Sequence, residues 1–162
     1  MEKEGQLVTE ELIQLVSFRL GEESFGVDIL CVQEINRMVD ITRLPETPHY
    51  CEGVINLRGR VIPIIDTRKR FNMPAVERDK NTRIIVCDVD GSLAGMIVDA
   101  VEEVLRIPGS TLEAPPPIVT SLDSDYIQGV ARIDGRLLMF VDVNELVSTI
   151  NKEVAQVEAM PA

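Results

Sequence analysis

Two aspartates, Asp66 and Asp142, occupy equivalent places in two related segments of the chain and are the first candidates for chemistry. Two carboxylates held close together share a proton, because the charge on one raises the pKa of the other, and such a dyad can perform general acid–base hydrolysis. Bilobal aspartic hydrolases place a glycine two residues after each aspartate, whereas this chain has Arg68 and Asn144 there. The close backbone approach that glycine permits is therefore lost. We expect each aspartate to cap a short helix that follows a strand.

Other residues suited to catalysis or metal binding are sparse. The one histidine, His49, follows a proline and has no evident partner to orient it as a general base. The three cysteines, Cys31, Cys51 and Cys87, lack the short Cys and His spacings that bind zinc. No glycine-rich stretch continues into the lysine and hydroxyl residue of a phosphate-binding loop. The sequence predicts a protein without catalytic residues, bound metal or cofactor, in which Cys31 and Cys87 act as small apolar side chains.

The composition limits the class of protein. With 162 residues, of which 45% are hydrophobic, the chain can bury a core in one domain or in two very small ones. Its formal net charge of −11 disfavours binding to nucleic acids and to anionic membrane surfaces. The sequence shows neither a leader-like start nor a run of about 18 apolar residues. We expect a cytoplasmic protein with reduced thiols.

The sequence contains two related halves. Residues 15–35 align with residues 84–104 at an offset of 69, and residues 50–71 align with residues 126–147 at an offset of 76. The second alignment matches the pairs Tyr50 and Tyr126, Gly53 and Gly129, Gly59 and Gly135, Arg60 and Arg136, and Asp66 and Asp142. The change of offset places an insertion before Tyr126, where a run of prolines forms a stiff connection. Two long blocks in the same order favour internal duplication over chance.

Both halves show the alternation of apolar and polar residues that is typical of short strands. Asp90-Gly91, Arg58-Gly59 and Asp134-Gly135 each separate two such runs, which predicts β-hairpins. Four or five short strands in each half predict an all-β fold. Two small closed barrels of SH3-like or OB-like type fit best, because closure removes exposed strand edges.

The predicted boundaries follow the repeat, with exchange of strands between the barrels left open. They are residues 14–80 for the first barrel, residues 81–150 for the second, and residues 143–158 for a C-terminal α-helix that packs on the barrels. Asp142 and Glu145 have the pattern of a capped helix start, and apolar residues recur at helical spacing from Leu146 onward. Residues 30–35 fit either a helical turn or a third strand.

Two features remain that neither turns nor core packing demand. Arg58 lies at a predicted hairpin tip where the second half has Asp134, so the symmetry of the fold does not require a cation. It fits either a solvated turn residue or a contact arginine, since arginine is enriched at binding hot spots. Residues 25–35 contain more apolar side chains than one strand face needs, which fits either core packing or an exposed groove for a partner.

These segments resemble the CheW family, the coupling proteins of bacterial chemotaxis, over about residues 14–150. The motifs that carry the resemblance are Phe25-Gly26-Val27-Asp28-Ile29-Leu30, Val32-Gln33-Glu34-Ile35, Gly53-Val54-Ile55-Asn56-Leu57-Arg58-Gly59 with Pro63 and Asp66, and Val98-Asp99 with Val101. The resemblance implies two SH3-like five-stranded β-barrels related by internal duplication, with short helices and a C-terminal α-helix.

The resemblance also implies a non-catalytic adaptor. It would couple the cytoplasmic tip of methyl-accepting chemotaxis receptors to the regulatory domain of the histidine kinase CheA, in arrays at the membrane, without entering the membrane itself. The implied receptor-binding residues are Val27, Leu30, Val32, Glu34, Asn56, Arg58, Gly59 and Val98, of which Val27, Leu30 and Val98 would line a groove between the barrels. For kinase contact we select Met38, Leu44, Ile118 and Val119.

Three alternatives remain at this point. A CheW-like adaptor of another chemosensory pathway, such as one that controls type IV pili, would carry the same residues and differ in its partners. A small-ligand-binding double barrel would need a closed pocket with convergent polar groups. A bilobal hydrolase would need Asp66 and Asp142 within hydrogen-bond reach.

Overall fold

The computed structural model describes residues 11–114 and 126–147 and shows an all-β fold. The strands are β1 (Leu12–Leu20), β2 (Glu23–Asp28), β3 (Val32–Arg37), β4 (Cys51–Leu57), β5 (Arg60–Asp66), β6 (Arg83–Val89), β7 (Ser92–Val98), β8 (Ala100–Pro108), β9 (Ile127–Ile133) and β10 (Arg136–Val141). They form two five-stranded sheets, which confirms the predicted fold class. Sheet 1 has the order β8-β1-β2-β10-β9, and sheet 2 has the order β3-β6-β7-β5-β4.

Tight turns form the hairpins within these sheets. Arg58-Gly59 joins β4 to β5, Asp90-Gly91 joins β6 to β7, and Asp134-Gly135 joins β9 to β10. All six turn residues have positive φ. This geometry is that of a two-residue type I′ turn, whose twist matches the twist of the paired strands. Local turn chemistry therefore sets the register of three hairpins.

The two sheets do not coincide with the two halves of the sequence. Sheet 1 combines β1 and β2 with β8, β9 and β10, while sheet 2 combines β3, β4 and β5 with β6 and β7. Parallel pairing of β2 with β10 and of β5 with β7 joins the halves. Strands are thus exchanged between the barrels, and the boundaries at residues 14–80 and 81–150 remain a prediction about the repeat.

Each sheet closes into a barrel through one backbone bridge. Thr42, which follows β3, exchanges two hydrogen bonds of 2.8 Å with Val54 of β4, and Glu113 exchanges two of 2.8 Å with Val130 of β9. These bridges connect opposite edges of the sheets, so they pair edges that would otherwise be exposed. Gly53 permits the bridge between Thr42 and Val54, because a Cβ at residue 53 would lie 2.1 Å from the carbonyl oxygen of Thr42.

The described residues form three apolar clusters. One lies within sheet 2 and includes Ile64 and Ile84, and another lies within sheet 1 and includes Leu15. The third, which we call the intersheet cluster, combines Phe25 of sheet 1 with Met96 of sheet 2 and many others. Full burial of one such side chain contributes about 1.5–3 kcal/mol. The intersheet cluster therefore makes the two barrels one folding unit.

Short helices lie in the strand connections. Residues 30–35 contain both of the predicted alternatives, since a 3₁₀ turn, Ile29–Cys31, leads directly into β3. Helix α1 (Thr67–Arg70) follows β5. Helix α2 begins at Val143 and is described to residue 147. The remainder of the helix predicted over residues 143–158 lies outside the described residues.

Candidate functional site

Arg58 lies at the tip of the β4–β5 hairpin, in a turn that fixes its position. Its φ is +51° and that of Gly59 is +85°. A positive φ is uncommon for a residue with a side chain, so the turn must be held by its surroundings. Asn56 contributes by accepting the backbone N–H of Gly59 on its Oδ1 at 3.0 Å. The turn leaves 71% of the Arg58 side chain exposed.

Strand β3 brings a second candidate residue to this turn. The register of β3 against β6 shifts between Val32 and Glu34, so Gln33 forms a β-bulge. A bulge bends the strand and changes the direction of nearby side chains. The Arg58 guanidinium donates from Nη2 to Oε2 of Glu34 and forms an ion pair with it. The structure thus joins the Val-Gln-Glu segment and the Asn-Leu-Arg-Gly turn, which are far apart in sequence.

The Glu34–Arg58 ion pair contributes little to folding. Exposed ion pairs are worth about 0–1 kcal/mol, because solvent screens the charges. Asp134 and Gly135 form the equivalent turn of the second half, with φ of +52° and +77°. The same turn therefore forms with an anion at its tip, and the hairpin does not require an arginine. Arg58 instead presents several N–H donors to solvent from a position that Glu34 fixes.

Leu30 is held at the surface by a capped turn. Its side chain is 87% exposed, and its backbone N–H donates to Oδ1 of Asp28 at 2.9 Å. Leu12, Ile29 and Leu30 line a groove of about 360 Å³, whose charged lining residues include Asp28 and Arg106. An exposed leucine beside a groove is a feature of binding surfaces, since its exposure does not help the chain to fold.

Val27 and Val98 do not line this groove, which corrects the sequence-based expectation. Both side chains are fully buried in the intersheet cluster. Successive side chains of a strand face opposite sides, and a motif alone does not show which side is solvent. Val32 is half-buried and packs on the same cluster. All three valines therefore contribute to the packing of the intersheet cluster.

The residues selected for kinase contact are used largely in folding where the structure describes them. Met38 is half-buried against the cluster within sheet 2, and Leu44 is half-buried against the intersheet cluster. Each packs on a different cluster, so the two do not form one apolar patch. Ile118 and Val119 lie outside the described residues.

Sequence reasoning missed two equivalent pairs of exposed apolar residues. Ile35 and Val61 are exposed on sheet 2, and Val104 and Leu137 are exposed on sheet 1. The offsets of 69 and 76 make Val104 the equivalent of Ile35 and Leu137 the equivalent of Val61. That repetition of apolar residues at positions facing away from the core was the available signal. Both barrels expose apolar surface at the same places.

Asp66 and Asp142 cap helices. Oδ1 of Asp66 accepts the backbone N–H groups of Arg68 at 3.0 Å and Lys69 at 3.3 Å, at the start of α1. Oδ1 of Asp142 accepts the N–H of Glu145 at 3.2 Å, at the start of α2. Among the described contacts the two carboxylates are not partners of each other. The hydrogen-bonded dyad that a bilobal hydrolase requires is therefore not formed.

The described part of the chain shows neither a metal cluster nor a membrane-spanning helix. Within residues 11–114 and 126–147, no three His, Cys, Asp or Glu side chains are grouped so that they could hold a metal ion. No helix in the same residues has both the length and the apolar character needed to cross a bilayer.

Known proteins are similar to this chain in both sequence and fold. A family model described as the CheW-like domain matches residues 14–151. The chain is 36% identical over 154 residues to the chemotaxis protein CheW of Klebsiella aerogenes, which covers 95% of this chain and 90% of the relative. It is 34% identical over 146 residues to that of Treponema pallidum, with 88% and 86% covered. The crystal structure of the scaffolding protein TtCheW from Thermoanaerobacter tengcongensis matches with a TM-score of 0.78 and 42% identity, over 84% of this chain and 88% of that one.

Proposed function

The chain belongs to the CheW family, and on that premise we propose that it is a chemotaxis adaptor that couples methyl-accepting receptors to the histidine kinase CheA. The relatives reported above are named as chemotaxis proteins and as a scaffolding protein. The observation that carries the proposal is the contact between Glu34 and Arg58, which unites two family motifs in one exposed site. We place the protein in the cytoplasm, bound to receptor arrays at the membrane.

The proposed receptor surface combines two chemistries. Leu12, Ile29 and Leu30 offer apolar contact along the groove, and the guanidinium of Arg58 offers directed hydrogen bonds. A receptor tip built as a helical hairpin would lay an apolar stripe on such a groove and set a carboxylate or carbonyl against the arginine. In this arrangement apolar contact supplies most of the affinity, and Arg58 sets the register of the helix.

The adaptor changes no covalent bond, so it acts through the stability of alternative assemblies. It can alter kinase activity only if it binds the signalling states of the receptor or kinase with different affinities. Coupling free energies of about 1–3 kcal/mol are typical of such linkage. Small changes in the shape of the receptor surface are therefore enough to change the kinase output.

For the kinase we propose the loop of residues 38–44 and the segment that contains residues 118 and 119. Val39 is exposed in this loop, between Met38 and Asp40, and offers an apolar side chain to a partner. Met38 and Leu44 are half-buried, so they offer less apolar surface. The regulatory domain of CheA would occupy this surface while the receptor occupies the other. The adaptor would thus hold both partners at once.

Reconstitution with receptor and CheA from the same organism tests the proposal. We compare the wild type with Arg58→Glu and with Arg60→Glu, a matched control that reverses an exposed charge two residues away. The readouts are cosedimentation of the adaptor with receptor-containing membranes and autophosphorylation of the kinase. We expect Arg58→Glu to weaken receptor binding at least about tenfold, which corresponds to ~1.4 kcal/mol, and Arg60→Glu to have little effect.

The outcomes separate the role of the protein from the position of its site. If the wild type stimulates the kinase and Arg58→Glu binds the receptor as tightly as the wild type does, the receptor surface does not include this hairpin. Failure of the wild type to bind either partner would contradict the adaptor role. Binding to the receptors and kinase of another chemosensory system, such as one controlling type IV pili, would change the partners and leave the site in place.

A further inference from the structure

Arg70 of α1 lies between two tyrosines that the repeat makes equivalent. Its Cζ is 4.1 Å from the ring centroid of Tyr50 and 4.2 Å from that of Tyr126. Tyr50 directly precedes β4 of sheet 2, and Tyr126 directly precedes β9 of sheet 1. Both distances lie within the range of a cation–π interaction. One guanidinium therefore contacts the residue that directly precedes a strand in each of the two barrels.

The surroundings of this contact also follow the repeat. The backbone N–H of Asp66 donates to the carbonyl of Tyr50, and that of Asp142 donates to the carbonyl of Tyr126, each at 2.8 Å. The cation itself is not repeated, because the residue equivalent to Arg70 is Leu146, which is fully buried. A single cation thus serves two equivalent rings, and duplication alone does not produce this arrangement.

We propose that Arg70 is a positioning residue that fixes the orientation of the two barrels relative to each other. The intersheet cluster opposes separation of the sheets, but the hydrophobic effect is not directional and tolerates a small rotation that keeps the same area buried. A guanidinium over two ring faces is directional, since the attraction falls when the cation leaves the face. Phe71 extends the contact, with ring centroids 5.4 Å from Phe25 and 6.3 Å from Tyr126.

A fixed orientation matters because the proposed receptor surface draws on both sheets, with Leu12 of the groove on sheet 1 and Arg58 at a turn of sheet 2. Leu12 and Arg106 belong to sheet 1, whereas Leu30 lies in the connection between β2 of sheet 1 and β3 of sheet 2. A rotation between the sheets would change the position of Arg58 relative to this groove. The consequence for receptor binding rests on the proposed function, whereas the orientation itself does not.

Residual dipolar couplings of backbone amides test the orientation directly. In the wild type, one alignment tensor should fit the amides of both sheets. In Arg70→Met each sheet should still fit a tensor of its own, while the joint fit should worsen beyond the error of repeated measurements. Arg132→Met makes the same change at an exposed residue of β9 and should keep the wild-type joint fit. An unchanged joint fit in Arg70→Met would overturn the proposal.

Two further variants keep the test decisive if Arg70→Met folds poorly. Arg70→Lys retains a cation, so its joint fit should be closer to that of the wild type than the joint fit of Arg70→Met is. Tyr126→Leu removes one ring and should worsen the joint fit, and adding Arg70→Met to it should cause little further loss. Additive losses would contradict a shared contact. If Arg70→Met worsens the joint fit but leaves receptor binding unchanged, the positioning role stands. That result would contradict a receptor surface that spans both sheets.

Discussion

Arg68 and Asp99 form a paired ion contact in which Nε donates to Oδ1 at 3.0 Å and Nη2 donates to Oδ2 at 2.7 Å. The same carboxylate accepts the backbone N–H of Gly21 at 2.7 Å, and Nη1 of Arg68 donates to the carbonyl of Pro74 at 2.6 Å. The pair therefore ties the β1–β2 turn, the β7–β8 connection and the segment after α1 together. Burial alone would raise the pKa of Asp99, but Arg68 and the Gly21 N–H hold it below its usual value.

We predict that Asp99→Asn lowers the free energy of unfolding by about 1.5–3 kcal/mol, because charged hydrogen bonds are lost and Arg68 keeps an unmatched charge. The Arg68 side chain is only 11% exposed, so water cannot fully replace the carboxylate. Urea unfolding measures the change. Asp90→Asn, at an exposed turn where asparagine also accepts positive φ, should stay within about 0.5 kcal/mol of the wild type. Equal effects of the two variants would contradict the assigned role.

Glu52 is a buried carboxylate that two basic side chains hold in its charged form. Its side chain is 7% exposed, and Lys69 Nζ lies 2.7 Å and Arg78 Nη2 3.2 Å from its oxygens. Burial favours a raised pKa, but the hydrogen bonds from Lys69 and Arg78 outweigh it and bring the pKa of Glu52 below its usual 4.5. A carboxyl with a lowered folded-state pKa stabilises the fold above the usual value, and the stabilisation is lost as pH falls through the folded-state pKa.

We therefore predict a pH-dependent difference between the wild type and Glu52→Gln. At pH 7 the variant should be less stable by about 1–2 kcal/mol, a figure reduced for the partial exposure of Lys69 and Arg78. The difference should shrink as the pH falls below 4.5, where the unfolded chain takes up a proton at Glu52, and it should vanish once the pH is below the lowered folded-state pKa. Urea unfolding across this pH range provides the measurement. The exposed control Glu22→Gln should stay within about 0.5 kcal/mol of the wild type at pH 7, and a constant difference for Glu52→Gln would refute the assignment.

The hairpins and the helix caps could be read from the sequence because they depend on neighbouring residues. Asp90-Gly91 and Arg58-Gly59 form the expected turns, and Asp66 and Asp142 cap the expected helices. The family resemblance assigned both Glu34 and Arg58 to receptor binding, but their contact has no local signal, since Glu34 lies on β3 and Arg58 lies in the β4–β5 turn.

Several features that were missed depend on long-range packing. The burial of Val27 and Val98 follows from how the two sheets face each other, and the parallel pairing of β2 with β10 has no local signal. Arg70 reads as one cation in a basic run, and only the assembled fold places it between Tyr50 and Tyr126. Sequence patterns thus predicted the strands and turns, and tertiary contacts decided which side chains reach the surface.

Gly53 should be more sensitive to substitution than glycines of the turns. Its φ is +141°, and a Cβ would meet the Thr42 carbonyl. We predict that Gly53→Ala costs about 3 kcal/mol, from backbone strain and from loss of the bridge between Thr42 and Val54. Gly91 has φ +86° with open space around it, so Gly91→Ala should cost about 1 kcal/mol from conformation alone.

Thermal unfolding gives the loss of stability for both glycine variants, and hydrogen exchange shows where it arises. In Gly53→Ala, the Val54 amide should lose protection more than amides at the centre of sheet 2, because it donates to Thr42 at the closure of the barrel. Equal costs for Gly53→Ala and Gly91→Ala would mean that crowding at the bridge is unimportant.

The cysteines provide a test of how tightly the intersheet cluster is closed. Cys87 is fully buried there, and burial raises its pKa to about 12. At pH 8 its thiolate fraction would be about one in ten thousand, and the thiolate is the reactive form. Cys31 is partly exposed, although burial and the nearby charge of Asp28 raise its pKa too.

We predict that iodoacetamide modifies Cys31 first, more slowly than it modifies an unshifted thiol, and leaves Cys51 and Cys87 intact in the folded protein. Mass spectrometry of a time course at pH 8 measures the order, and the same reaction in concentrated urea, where all three should react, is the control. Cys87 lies in β6 opposite Val32 of β3. If Cys87 reacted as fast as Cys31 in the native protein, this strand pair would have to open without global unfolding, and the segment that carries Glu34 would not be rigid.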